Sequence, residues 1–168
     1  LIFIKGINFL VENLFQSMLL AFLIISIIMS LLFKNFKMVL ISLIPNVIPL
    51  IIAGGIMGYF NIPLKPSSAL VFSIVFGISV DYSIHFLAKF KNELQVNSLE
   101  NSIINTINET GRSMIFTSFI LFFGFIIFAF SNFGGTIVLG VLTSIILFVT
   151  MITNLTLLPS IILYFYKK

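Results

Sequence analysis

Ser73, Gly77, Asp81 and His85 recur every four residues along an otherwise apolar stretch, and one of them is a carboxylate. Residues four apart share a helix face, so these four form a narrow polar stripe on a surface of Val, Ile, Leu and Phe. The stretch, residues 67–88, reads SSALVFSIVFGISVDYSIHFLA and is long enough to cross a bilayer as a helix. A carboxylate at its centre costs roughly 2.5 to 3.5 kcal/mol even on the mildest insertion scale, so its default chemistry is an ion or proton path. No Lys or Arg stands at mid-membrane depth elsewhere in the chain to neutralise it. Either its cation lies in a part of the protein beyond this chain, or Asp81 carries a proton for much of a working cycle, its charged form being penalised by desolvation. His85, one turn nearer the end of the span, is expected as a relay on the cytoplasmic side; the plainer alternative is a satisfied interfacial histidine. Tyr82, on an adjacent face, has a hydroxyl able to donate to a carboxylate on a neighbouring helix.

The elements that must position this stripe follow from composition. With 60% hydrophobic residues, 8% charged residues and a mean hydropathy of +1.23, the chain reads as an integral membrane protein. Its apolar runs are continuous and of helix length, not the short alternating segments of a barrel, so the fold class is an all-α transmembrane bundle. Spans are expected at about 14–33, 38–59, 67–88, 113–131 and 136–164, a five-helix bundle in one transmembrane domain. The positive-inside rule puts Lys34, Lys37, Lys89, Lys91, Arg112, Lys167 and Lys168 in the cytoplasm and leaves Lys5 and Lys65 outside. The beginning of the chain then faces outward and its end is cytoplasmic, in a multi-pass protein of the inner or plasma membrane. The chain opens on Leu1 with no initiator Met and no signal segment, as expected of a fragment of a longer protein.

Three connections are short: 34–37, the proline-containing 60–66, and 132–135. The long one, 89–112, has Ser98 as an N-cap candidate, Leu99, Ile103 and Ile107 at four-residue spacing, and Gly111 placed to stop a helix. A cytoplasmic helix over about 98–110 is expected, either lying in the interface or packed under the bundle.

Polar residues on other spans offer partners for Asp81. The fifth span carries Thr136, Gly140, Thr143, Thr150 and Asn154, and the fourth carries Ser113, Thr117 and Gly124. Lipid tails cannot satisfy these groups, so the three faces are expected to turn together and enclose the acid, with Ser73, Gly77, Thr117, Thr150 and Asn154 as its supporting polar face. Close helix packing is the plain alternative for the small and hydroxyl residues. Gly54 and Gly58 form a small-xxx-small pair suited to such packing, Pro45 and Pro49 are expected to kink the second span, and the first span suits a lipid-facing position.

Other chemistries lack their residues. Without cysteine, and with one histidine, Asp81 and His85 give too few ligands for a metal centre. There is no GxxxxGK[ST] loop for ATP, and no serine with a base placed to activate it. The chain is read as a non-enzyme with no cofactor beyond protons as the coupling ion. The net charge of +4 comes from scattered loop residues, which argues for orientation in a membrane and against nucleic acid as a partner.

The strings FGISVDYSIHFLAKFKNEL (76–94), TGRSMIFTSFILFFGFIIFAFSNFGG (110–135) and NLTLLPS (154–160) resemble the resistance-nodulation-division superfamily, most closely its branch of MMPL-type exporters, Patched-like and sterol-sensing proteins. The likeness runs from about residue 14 to 165 and centres on the GxxxDY element, Gly77 to Tyr82. It implies the last five helices of one six-helix half of a proton-driven transporter of lipids or other hydrophobic molecules. Asp81 and Tyr82 would form its relay with equivalents from the other half. The implied partners are membrane lipids, that other half and large extracytoplasmic domains, and a homo-oligomer is compatible with the pattern. A protein-translocation auxiliary of the SecD and SecF type, or a sterol-sensing regulatory module, is the alternative.

Overall fold

Backbone in hydrocarbon has no water to bond with and must satisfy itself. The computed structural model of the chain describes residues 2–34 and 36–166, and every element in it is helical. In order these are α1 (Ile2–Phe33), α2 (Phe36–Tyr59), α3 (Pro66–Glu93), α4 (Leu99–Thr106), a π-helical turn (Ile107–Gly111), α5 (Arg112–Ile126), a 3-10 turn (Ile127–Phe130) and α6 (Gly134–Tyr166). Five stretches are long and apolar enough to cross a membrane: those in α1, α2, α3 and α6, and the continuous Leu99–Phe130 unit. The expected all-α bundle is therefore the observed architecture. Leu1, Asn35, Lys167 and Lys168 lie outside the described residues, the last two among those assigned to the basic end.

α1 is continuous from Ile2, and its stretch long and apolar enough to cross a membrane, Glu12–Leu31, lies close to the expected first span. The helix expected over about 98–110 is present as α4 followed by the π turn, and α4 packs against α3 and α6. Ser98 takes the N-cap position of α4 without a side-chain cap bond, Ile103 is buried with Phe86, Phe90 and Met114, and the helix runs on through the π turn. Gly111 keeps helical angles (φ −61, ψ −39) and does not stop it. Its missing side chain serves close approach instead, since a Cβ there would lie 3.1 Å from Leu155 Cδ2 on α6.

α6 is the hub, packing on α2, α3 and α5, while α2 also packs on α3. Gly140 lets the end of α5 cross α6 in contact: a Cβ at this position would meet Phe125 O and Phe128 Cβ, each at 2.6 Å. Gly54 and Gly58 are exposed with open space where a Cβ would go, so no contact among the described residues requires them to be small. Pro45 and Pro49 are accommodated inside a continuous α2. Two residues past the helix's end at Tyr59, Asn61 turns the chain with a φ of 51, the left-handed conformation asparagine tolerates. Pro66 then opens α3 at a position where its missing N–H costs nothing.

The core has two apolar clusters stacked along the bundle. One, toward the basic end, includes Met29, Phe33, Phe86, Phe90, Leu158 and Ile162. The other includes Leu50, Ala53, Val71, Val75, Leu142 and Ile146. α1 touches α2 and α3 along one edge, with Phe22 stacked on Phe76 at 4.7 Å, and presents Leu19, Leu23, Ile27 and Leu31 outward. Such a surface suits hydrocarbon as its solvent.

Candidate functional site

α3 carries two polar stripes on different faces, and the bundle treats them in opposite ways. Ser79 and Ser83, four apart, point into the core between the two apolar clusters. Ser79 Oγ and Ser83 Oγ lie 2.7 and 2.8 Å from Asn46 Oδ1 on α2, and Ser83 Oγ is also 2.8 Å from Asn154 Oδ1 on α6. Asn154 Nδ2 donates to Ser79 Oγ at 3.2 Å and to Thr150 O at 3.1 Å. One hydroxyl proton on Ser83 cannot serve two amide oxygens. With the Asn46 amide turned over, Asn46 donates to Ser83 and Ser83 donates to Asn154. All four side chains are buried, so this knot ties α2, α3 and α6 together at mid-bundle, where unpaired polar groups would be costly.

The second stripe, Ser73, Gly77, Asp81 and His85, faces outward. The Asp81 and His85 side chains are 62% and 69% exposed, and His85 Nε2 stands 3.2 Å from Asp81 Oδ1. The expectation that the third, fourth and fifth spans enclose the acid is not met. The inward face of α3 is already occupied by Ser79 and Ser83, whose partners on α2 and α6 fix the helix's rotation and leave Asp81 at the surface.

Asp81 nonetheless lies in a groove, an open cavity of about 490 Å³ between α3 and the α4–α5 unit. Tyr82, His85, Lys89 and Asn92 line one side and Glu109, Ser113 and Thr117 the other. Tyr82 is buried, and its hydroxyl pairs with Ser118 Oγ of α5 at 2.6 Å instead of with a carboxylate. Toward the basic end, Lys89 bridges Glu93 at 3.1 Å and Glu109 of the π turn. Asn97 and Asn105 donate to Glu93 Oε2 at 3.0 and 2.9 Å. Above all the Asn105 bond, and then the Lys89 ammonium, hold the Glu93 carboxyl below the usual carboxylate range. Glu109 first and Glu93 second hold Lys89 above its own usual value.

The structure thus gathers Asp81, Tyr82, His85 and Thr117 around one groove and separates Thr150 and Asn154 from it. Ser73 and Gly77 continue the outward stripe toward the far end of α3. Thr150 Oγ1 bonds back to Ile146 O within its own helix. Thr143 Oγ1 is buried without a hydrogen-bond partner among the described residues. Sequence reasoning missed Ser79, Ser118, Glu109 and the joining of Asn46 to Asn154 through Ser79 and Ser83. The usable signal was Ser79 and Ser83 at helical spacing, with an asparagine inside each of two other spans.

Five helical stretches long and apolar enough to cross a membrane, one with an acid at its middle, define a multi-pass membrane protein. The chain belongs to the MMPL family, whose sequence profile matches residues 11–167. A Methanocaldococcus jannaschii protein named as a membrane protein is 28% identical over 139 residues, covering 82% of this chain and 36% of that protein. The chain therefore spans about a third of the length of this relative. No solved structure matches it.

Proposed function

We propose that this chain is the transmembrane portion of a proton-motive-force-driven exporter of lipids or other hydrophobic molecules, with Asp81 as the carboxylate that takes up and releases the proton. The observation that carries this reading is the placement of Asp81. It sits mid-way along a membrane-length helix, beside His85, in a polar groove on a face the chain's own helices leave open. A structural acid would be paired with a cation inside the bundle; this one is presented to whatever packs on that face. A second transmembrane half is the partner the reading requires, and a relative nearly three times the matched length has room for one. The other partners are membrane lipids and extracytoplasmic domains, with no resident cofactor and no catalytic chemistry.

With a second half packed on that face, protonation exchanges a charge held between the halves for a neutral hydrogen-bonding acid and so changes which packing of the two is preferred. A proton crossing the membrane potential brings about 2.3 kcal/mol per 100 mV to bias that choice. Tyr82 anchors α3 to α5 beside the acid, and His85 is the first titratable group on the way to the basic end, read as cytoplasmic by the positive-inside rule. The test is transport by the full-length protein in proteoliposomes with an imposed proton gradient. Transport should stop when a protonophore collapses the gradient; an unchanged rate would remove the proton from the mechanism.

A further inference from the structure

The two walls of the Asp81 groove share one period. On α3, Asp81, His85 and Lys89 are four apart; opposite them Glu109, Ser113 and Thr117 are four apart, and all six line the same cavity. Four-residue spacing keeps each set on one helix face, so the walls oppose each other from Asp81 to Lys89, about 12 Å at 1.5 Å per residue. The π turn Ile107–Gly111 carries Glu109, and the wider turn re-aims the side chains that precede α5. At the mouth, Lys89 lies between Glu93 of its own helix and Glu109 of the π turn.

We infer that this groove is the hydrated path by which protons pass between Asp81 and the basic end of the bundle, and that the Lys89–Glu109 ion pair is the latch across its mouth. The inference rests on the reading of Asp81 as the proton-carrying group. A proton leaving Asp81 passes to water in the groove, directly or through His85 Nε2, and reaches bulk solvent past Lys89, leaving the carboxylate charged. Hydroxyls, an imidazole and charged side chains along both walls give water the several polar partners it needs to occupy such a space. Facing Asp81 are His85 of its own helix and the uncharged Thr117 and Ser113 of α5; facing Lys89 are Glu93 and Glu109. The latch joins two partly exposed groups, so it can open at small cost.

The experiment uses the full-length protein in a cysteine-free background, reconstituted in vesicles, with Thr117→Cys or Ser113→Cys in the groove and Phe123→Cys on the outward apolar face of α5 as control. A membrane-impermeant methanethiosulfonate reagent applied at the basic end should label both groove positions and spare Phe123→Cys. Adding Glu109→Gln or Lys89→Gln should speed labelling of Thr117→Cys roughly two- to fivefold, the range an exposed ion pair can hold back. The two substitutions change local charge in opposite directions, so acceleration in both reports opening of the pair and not a change in field. Absence of labelling at both groove positions, or a rate unmoved by either substitution, overturns the inference. Labelling needs no transport, so its failure alongside lost transport in Asp81→Asn strikes the path alone. Successful labelling with normal transport in Asp81→Asn strikes the proton reading and with it the path's role.

Discussion

Tyr82 Oη and Ser118 Oγ, 2.6 Å apart and both buried, tie α3 to α5 at the inner side of the groove that holds Asp81. Asp81 and Tyr82 are neighbours in the chain yet serve opposite surroundings, one presented outward and the other joining two helices. Tyr82→Phe removes that bond and leaves the Ser118 hydroxyl to bond back to its own helix, so the loss should be about 1 kcal/mol of stability. Thermal unfolding of the full-length protein in detergent measures it. Transport should fall less than in Asp81→Asn; an equal loss would place the Tyr82 hydroxyl in the relay itself.

Asn154 belongs to the knot with Ser79, Ser83 and Asn46, not to the groove. The polar stripe on α6 suggested a part in conduction; the geometry gives it the work of joining α6 to α3. Asn154→Leu should strip partners from two buried hydroxyls and cost about 1–3 kcal/mol of stability. The pH profile of transport should keep its shape. A shifted profile at unchanged stability would return Asn154 to the conduction path.

Glu93 sets an acid limit on the basic end. Its folded carboxyl titrates below the ordinary range because Asn105 and then Lys89 favour the charged form. The folded state therefore binds fewer protons than the unfolded one around the usual carboxylate value of about 4.3, and the linked stability is present above that value and lost as pH falls below it. Lys89 is shifted upward, so its contribution is intact below the usual lysine value of about 10.4 and is lost only in stronger alkali. Neither group is expected to cause a change near neutral pH. Unfolding midpoints measured from roughly pH 6 to pH 3 should show a fall that flattens in Glu93→Gln; an identical acid fall in that variant would assign the limit to other carboxylates.

The spans were legible because continuous apolar runs of membrane length have few other solutions, and the outward stripe on α3 was legible from its four-residue spacing. The inward side of that helix was not. A buried acid in hydrocarbon argues for an enclosed stripe, whereas Ser79 and Ser83 look unremarkable until Asn46 and Asn154 are placed beside them. Those partners lie on α2 and α6, far off in sequence, and no local period announces them. Gly111 misled for a related reason: a glycine after an amphipathic run usually ends a helix, but here Leu155 of α6 needs the space of its missing Cβ.

The central claim is that Asp81 couples proton movement to transport, and Asp81→Asn in the full-length protein tests it most directly. Asparagine matches aspartate in size, and the side chain it replaces contacts His85 at the exposed face of α3, so fold and expression should be retained. With an imposed proton gradient in proteoliposomes, substrate movement and the accompanying proton flux, followed by an entrapped pH dye, should both fall to background. Substrate transport at the wild-type rate with proton flux intact would contradict the account.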